Sequence, residues 1–163
     1  MRIVLIAVAV SLALTAAAAA APSRAKVALR ATALGRVLAD AHGRTLYVFD
    51  RDVRGRSACS GACAATWPPF LTTGTPVALA GVPANRLATA KRGDGRLQVT
   101  FLGRPLYLHA ADGRAGQVTG AAVAHWAALT TTGTRLHRAP TSTPMPSPSP
   151  TPQPPYPGGG DGY

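Results

Sequence analysis

The first side chains that could do chemistry are Cys59 and Cys63, the only two cysteines of the chain. Two thiolates spaced by three residues, joined by one imidazole, form a set of soft ligands that suits copper. His109 or His125 would supply the nitrogen. In an exported protein the default for such a pair is one disulfide that closes a short loop. We therefore expect a disulfide, and we keep an extracytoplasmic copper-binding or thiol-redox protein as the alternative.

A second candidate for chemistry is the pair Asp52 and Asp112, which would act as general acid and base if both faced one cleft. No Ser-centred elbow and no His-Glu-x-x-His motif accompanies them. The spacing of the aspartates fits no known calcium loop. Each aspartate follows an apolar run, where a carboxylate commonly accepts backbone N–H groups and fixes a turn. We therefore expect no enzyme activity, no catalytic residue, no bound metal and no cofactor.

The elements that must position these residues come from an internal repeat. The segment Gly43–Asp52 matches Gly103–Asp112, with Gly, Arg, Leu, Tyr and Asp identical at a spacing of 60 residues. In both copies a tryptophan follows six residues after a glycine, Trp67 in the first copy and Trp126 in the second. Self-similarity of this kind indicates a duplicated structural unit.

Each copy is rich in β-strand signals. Arg92–Gly95 is a strong hairpin turn because Asp and Gly tolerate positive φ. Leu46–Phe49 is apolar on both alternating faces, which is typical of a strand covered on both sides. Beyond the N-terminal segment, helical periodicity is limited to one or two turns at Ala58–Ala65. The sequence predicts a mostly β domain of about seven or eight strands, with duplicated β-hairpin units in one compact pseudo-twofold fold.

The motif in the first copy carries a family resemblance. Tyr47–Asp52 fits the pattern Y-x-[FWY]-x-x-D, and Cys59–Pro69 follows it with the string C-S-G-A-C-A-A-T-W-P-P. Over about residues 34–132 the chain resembles the bacterial secreted and lipoprotein family named for its Yx(FWY)xxD motif, also described as a secreted repeat of unknown function. The resemblance implies an extracytoplasmic, duplicated β unit without an established activity. The chain departs from the family pattern in lacking a lipid-attachment cysteine and in carrying His109 at an aromatic position.

The motif residues and the two tryptophans are assigned a structural role, because aromatic side chains most often pack in a core. This set consists of Tyr47, Phe49, Asp52, Trp67, Tyr107, His109, Asp112 and Trp126.

The two ends of the chain differ from its middle. Residues 1–20 combine a basic residue, an apolar run and alanines, the layout of a cleaved secretory signal peptide; an uncleaved membrane anchor is the alternative. Residues 138–163 are rich in Pro, Ser and Thr, which predicts a disordered tail. The segments between them are an N-terminal linker at 21–33 and the β domain at 34–137, with repeat 1 at about 34–75 and repeat 2 at about 86–132.

The charge of the chain bears on its partners. It holds 17 Lys and Arg against 6 acidic residues, a net charge of +11. Export would remove cytosolic nucleic acid as a partner and favour an anionic cell-wall or surface polymer. We therefore expect a non-enzymatic domain that is secreted or held in the periplasm or envelope and binds anionic envelope components. We expect no nucleic-acid partner and no stable membrane span after signal cleavage.

Overall fold

The computed structural model describes residues 23–138 of the chain. The predicted signal peptide and nearly all of the predicted tail lie outside the described residues. Within them no helix is long and apolar enough to cross a membrane. Ten short strands, one short α-helix and two 3-10 turns follow one another. They are β1 (Lys26–Thr32), β2 (Gly35–Asp40), β3 (Tyr47–Phe49), α1 (Ala62–Thr66), β4 (Leu71–Thr72), β5 (Val77–Ala78), a 3-10 turn (Ala84–Arg86), β6 (Leu87–Lys91), β7 (Leu97–Phe101), β8 (Arg104–Pro105), a 3-10 turn (Thr119–Ala122), β9 (Trp126–Leu129) and β10 (Arg135–Leu136).

The strands form three small sheets. Their strand orders are β2-β1-β5, β10-β9-β3 and β4-β7-β6, and β8 pairs with β7 as well. All neighbouring strands are antiparallel except β1 and β5, which are parallel. The predicted hairpin around Arg92–Gly95 is confirmed: β6 and β7 pair in the register Leu87↔Phe101 to Lys91↔Leu97. The mostly β fold predicted from the sequence is therefore confirmed.

The predicted linker at 21–33 is wrong for most of its length, because β1 occupies Lys26–Thr32. This strand pairs with the whole of β2 and with β5. Its alternating Val27, Leu29 and Ala31 are a period-2 signal, and Val27 is fully buried. Residues 23–138 also hold ten strands, more than the seven or eight that the sequence predicts. The strands β4, β5, β8 and β10 have two residues each, which is too short to produce a hydrophobic period.

The two repeats interlock through their motif strands. Tyr47 and Tyr107 face each other as an antiparallel pair, with N–H to C=O distances of 2.8 and 2.9 Å in the two directions. Beyond this pair, β3 of repeat 1 runs along β9 of repeat 2, which places Phe49 opposite Trp126. In the matching arrangement, the Leu108 N–H of repeat 2 donates to the Pro68 C=O of repeat 1, next to Trp67. Each motif segment thus pairs with the tryptophan segment of the other copy.

Two buried clusters lie on opposite faces of β3. Leu46 and Val48 contribute to the larger cluster, which also contains Phe101. Tyr47 contributes to the other cluster, and Phe49 packs against it. The prediction that Leu46–Phe49 is covered on both faces is therefore confirmed. The second cluster contains the aromatic motif residues and both tryptophans, so the features that the repeat shares meet in one place.

Candidate functional site

A column of four stacked rings runs through the second cluster. Phe49 stacks on Trp126 with ring centroids 4.4 Å apart, Trp126 on Trp67 at 3.8 Å, and Trp67 on His109 at 4.2 Å. The planes of the two tryptophans differ by only 3°. Each tryptophan therefore stacks on the third motif residue of the other repeat. His109 takes the place in repeat 2 that Phe49 takes in repeat 1.

The motif tyrosines and aspartates are exchanged between the repeats. The Tyr47 hydroxyl donates to Oδ2 of Asp112 at 2.5 Å, and the Tyr107 hydroxyl donates to Oδ2 of Asp52 at 2.8 Å. The other oxygen of each carboxylate accepts a backbone N–H that fixes the following loop: Ala58 for Asp52 and Thr119 for Asp112. The motif therefore ties each strand to the partner repeat and each exit loop to its own repeat.

The environment of these groups shifts their ionisation. Burial raises the pKa of Tyr47, and the adjacent Asp112 carboxylate raises it further. Burial also raises the pKa of Tyr107 from its ordinary value of 10.0 to about 12. Burial raises the pKa of the Asp52 carboxyl, while its hydrogen bonds from Ala58 and Tyr107 act in the opposite direction. Both phenols are therefore held neutral as hydrogen-bond donors.

These shifts predict alkaline destabilisation. In the unfolded chain both phenols ionise near the ordinary pKa of 10.0, whereas Tyr107 in the folded protein ionises only at about 12. The stabilisation is therefore fully present below pH 10 and is lost as the pH rises to about 12. Urea unfolding followed at several pH values should show this decline. In Tyr107→Phe the decline should be shallower, and an equally steep decline in that variant would contradict the assignment.

His109 lies in the Asp112 network. Thr119 donates its hydroxyl to Oδ1 of Asp112 at 2.5 Å, so the same oxygen of Thr119 accepts from Nδ1 of His109, 3.0 Å away. Nδ1 of His109 is also 3.7 Å from Oδ1 of Asp112. The ring is oriented by this chain of contacts and by its stacking on Trp67. His109 therefore serves as a packed motif residue at the end of the column, as Phe49 does at the other end.

The disulfide predicted from the sequence is confirmed: Cys59 and Cys63 are bonded. The loop that it closes leads into α1, and the Arg92 side chain binds at the start of this loop through two hydrogen bonds. One terminal nitrogen of Arg92 donates to the Cys59 carbonyl at 2.8 Å, and the other donates to Ser57 Oγ at 2.7 Å. Ser57 in turn lies 2.7 Å from the Tyr107 hydroxyl. The disulfide loop and the Tyr107–Asp52 pair therefore belong to one hydrogen-bond network.

Removing the disulfide is expected to lower the free energy of unfolding by about 2 kcal/mol, which is the chain-entropy value for a loop this short. The double variant Cys59→Ala/Cys63→Ala should show the loss in urea denaturation. Ser60→Ala, an exposed site between the two cysteines, is the matched control and should unfold like the wild type. A loss below about 0.5 kcal/mol in the cysteine variant would mean that the loop is already fixed without the bond.

The structure does not support the copper alternative. Both sulfurs are joined in the disulfide, and residues 23–138 contain no group of three or more His, Cys, Asp or Glu side chains placed to hold a metal. His125 is exposed and adopts a left-handed backbone conformation, with φ of 70°. The carboxylates of Asp52 and Asp112 likewise belong to separate networks, since each binds the tyrosine of the opposite repeat.

The acidic side chains of residues 23–138 form hydrogen bonds within the protein. Each of the five aspartates in residues 23–138 accepts a hydrogen bond from within the protein; those not yet described are Asp40 with Arg44, Asp50 with Arg135, and Asp94 with Arg96. Arg96 lowers the pKa of Asp94 to about 2. Twelve basic side chains in the same range form no ion pair. They are Arg24, Lys26, Arg30, Arg36, Arg51, Arg54, Arg56, Arg86, Lys91, Arg104, Arg114 and Arg138.

Several of these basic side chains line two surface clefts. The first has a volume of about 320 Å³ and is lined by Phe49, Arg54 and Arg104 among others. The second, of about 430 Å³, is lined by Arg24 and Lys26 among others. Phe49 is the outer end of the aromatic column, so the first cleft is continuous with the motif residues.

Sequence reasoning missed several residues that build these features. It gave no role to Arg92, Thr119 or Arg54, which lie outside the repeated segment, and it treated Arg104 only as one of the identities between the two copies. Arg92 sits in the predicted hairpin turn, and only the folded chain shows that its guanidinium reaches the disulfide loop. The sequence indicated the basic clefts only through its excess of arginine, and composition does not show where in the fold the arginines lie.

Comparison with known proteins identifies the repeat. A family model described as a secreted repeat of unknown function matches the chain twice, at residues 28–70 and 88–130, which together make up just over half of it. No curated protein and no solved structure matches. The two matches coincide with the interlocked copies, each of which carries one motif tyrosine and one motif aspartate. The chain therefore belongs to the family of secreted repeats of unknown function.

Proposed function

We propose that this protein is a non-enzymatic module of the cell envelope that binds anionic envelope polymers through its cationic surface. The observation that carries the proposal is that the acidic side chains are hydrogen-bonded within the protein, whereas most of the basic ones form no ion pair. Each aspartate of residues 23–138 is bonded within the protein, and twelve basic side chains of the same residues are left without an ion pair there. A surface of one sign attracts polymers of the opposite sign over distances set by the ionic strength.

The composition of the cations supports a polymer that carries phosphate or carboxylate groups. Ten of the twelve are arginines. A guanidinium presents a planar fork of donors that matches both groups with two parallel hydrogen bonds. The clefts at Arg24 and Lys26, and at Arg54 and Arg104, would let an anionic unit approach two cations at once.

The non-enzymatic part of the proposal is supported by the contacts of the residues that could have carried chemistry. Cys59 and Cys63 are joined in a disulfide, and Asp52 and Asp112 each accept a tyrosine hydroxyl and a backbone N–H. These contacts account for the residues as structural supports. A secreted family and a strongly basic surface together favour retention at the anionic envelope over free diffusion.

Salt-dependent retention tests the proposal. The exported protein is applied to beads coated with polyglycerol phosphate, with uncharged dextran beads as the control. We expect retention on the charged beads at about 50 mM salt and release well before about 1 M, where the screening length falls to about 3 Å. No retention at low salt, or equal retention on dextran, would refute it.

Charge variants sharpen the same experiment. Arg24→Gln/Lys26→Gln removes two cations from the larger cleft and should elute at lower salt than the wild type. Arg24→Lys/Lys26→Arg keeps the charge while changing the side chains, and it should elute with the wild type. Elution of the neutralised variant together with the wild type would mean that this cleft takes no part in binding.

A further inference from the structure

Two turns lie side by side at one edge of the first cleft. One is the turn at Val53–Arg56, and the other is the tight connection between β7 and β8 at Leu102 and Gly103. The Gly55 N–H donates to the Gly103 carbonyl at 2.7 Å, which fixes the two turns against each other. We call four of the residues that line this cleft, Val53, Arg54, Leu102 and Arg104, the tip surface.

The tip surface exposes two large apolar side chains. Val53 is 66% exposed and Leu102 is 39% exposed, and they are two of only four exposed large hydrophobic residues in residues 23–138. The other two, Leu79 and Val123, do not line this cleft. A single exposed apolar side chain is ordinary on a protein surface. Two of them at adjacent turn tips, bordering one cleft, indicate a surface that meets an apolar phase.

The backbone of Leu102 strengthens this interpretation. Leu102 has φ of 51° and Gly103 has φ of 74°, so both central residues of the hairpin turn lie in the left-handed region. Turns of this kind favour Asn or Asp followed by Gly, because a branched apolar side chain is disfavoured at positive φ. The turn therefore presents a leucine at a position where asparagine would suit the backbone better.

The charges of the tip surface complement anionic headgroups. Arg54 lies over Gly103, where an added Cβ would be 2.7 Å from its Cγ. Within residues 23–138, neither Arg54 nor Arg104 forms an ion pair. The acidic residues of the cleft are already engaged: Asp50 with Arg135, and Asp52 with Tyr107 and Ala58. Two guanidiniums are thus available beside two exposed apolar side chains.

We propose that the tip surface docks on an anionic lipid bilayer of the envelope, with Arg54 and Arg104 on lipid phosphates and Val53 and Leu102 at the boundary of the acyl chains. The inference rests on the proposed function, since the wider basic surface brings the protein to the envelope. A polyol phosphate or sugar polymer offers no apolar layer for the two side chains, which is why a lipid surface fits better. Each arginine near an anionic bilayer strengthens partitioning about fivefold.

Vesicle sedimentation tests the proposal with the exported full chain. The probes are vesicles of equal parts phosphatidylglycerol and phosphatidylcholine, vesicles of phosphatidylcholine alone, and the polyglycerol phosphate beads. We expect the wild type to bind the anionic vesicles and not the neutral ones. In Val53→Asn/Leu102→Asn the binding to anionic vesicles should fall about tenfold or more, because the apolar contacts are lost while every charge remains.

Two controls keep the comparison specific. Val123→Asn changes a valine that is 41% exposed and lies outside the cleft, and it should bind vesicles like the wild type. The melting temperature of Val53→Asn/Leu102→Asn should stay near that of the wild type, since asparagine suits the left-handed turn. The same variant should also keep its retention on the charged beads.

The outcomes separate the two proposals. Retention of the wild type on the beads without vesicle binding, or equal vesicle binding by Val53→Asn/Leu102→Asn and the wild type, would overturn the lipid docking and leave the polymer binding in place. Failure on both the beads and the vesicles would overturn the proposed function as well.

Discussion

Replacing Trp67 by alanine is expected to lower the free energy of unfolding by about 3–5 kcal/mol, the usual cost of removing a buried tryptophan. Trp67 stacks on Trp126 on one face and on His109 on the other, and it meets the edge of Tyr47 at a centroid distance of 5.5 Å. Its loss would open the centre of the column where the two repeats meet. Urea denaturation of the exported protein measures the effect.

Trp67→Phe is the matched control for this prediction. A smaller aromatic ring keeps part of the stack, so the loss in Trp67→Phe should be well below that in Trp67→Ala. Val123→Ala, at an exposed site, should unfold within about 0.5 kcal/mol of the wild type. A loss below about 1 kcal/mol in Trp67→Ala would show that the column does not join the repeats.

The second large effect is expected from Asp112→Ala, at about 3 kcal/mol or more. The Asp112 carboxylate is buried and accepts three donors: the Tyr47 hydroxyl, the Thr119 hydroxyl and the Thr119 N–H. Removing the acceptor leaves buried donors without a partner, and each such group costs about 1–3 kcal/mol.

The equivalent change in repeat 1, Asp52→Ala, should cost less. Asp52 is only half-buried, so water can replace part of what the Ala58 N–H and the Tyr107 hydroxyl lose. Ser57 also remains within 2.7 Å of the Tyr107 hydroxyl. Equal losses in the two aspartate variants would contradict the difference in burial on which this prediction rests.

The duplication and the turns could be predicted from the sequence because their signals are local. Arg92–Gly95 contains the Asp and Gly that a hairpin needs, and β6 and β7 pair across it. The alternation in Leu46–Phe49 was visible for the same reason, since both faces of that strand are buried by side chains of fixed period. The cysteine pair followed from its short spacing and the exported context.

The exchange between the repeats could not be predicted, because nothing in the chain near Tyr47 shows that its partner lies 65 residues away. Two local motifs that are each complete could equally well fold side by side. One signal was present: the two copies keep a tyrosine and an aspartate at the same interval, together with the arginine that precedes them. The equal spacing fits a reciprocal pair, but only the folded chain, in which Tyr47 and Tyr107 meet in antiparallel, shows the exchange.

Gly120 is a single residue whose role could not be predicted from the sequence either. An added Cβ there would lie 2.7 Å from Cη2 of Trp67 and 2.9 Å from Cε1 of Tyr47. The repeat had matched Gly120 with Gly61, where an added Cβ meets nothing within 4 Å. The sequence marked both glycines alike, while the packing of the column gives only one of them a close aromatic neighbour.

The central claim is that the two repeats form one domain by exchanging their tyrosine–aspartate pairs. A double-mutant cycle of Tyr47→Phe and Asp112→Ala, measured by urea unfolding, tests it most directly. We predict a coupling energy of about 1.5–3 kcal/mol between these residues of different repeats. Losses that add to within about 0.5 kcal/mol would contradict it, because independent sites add in this way.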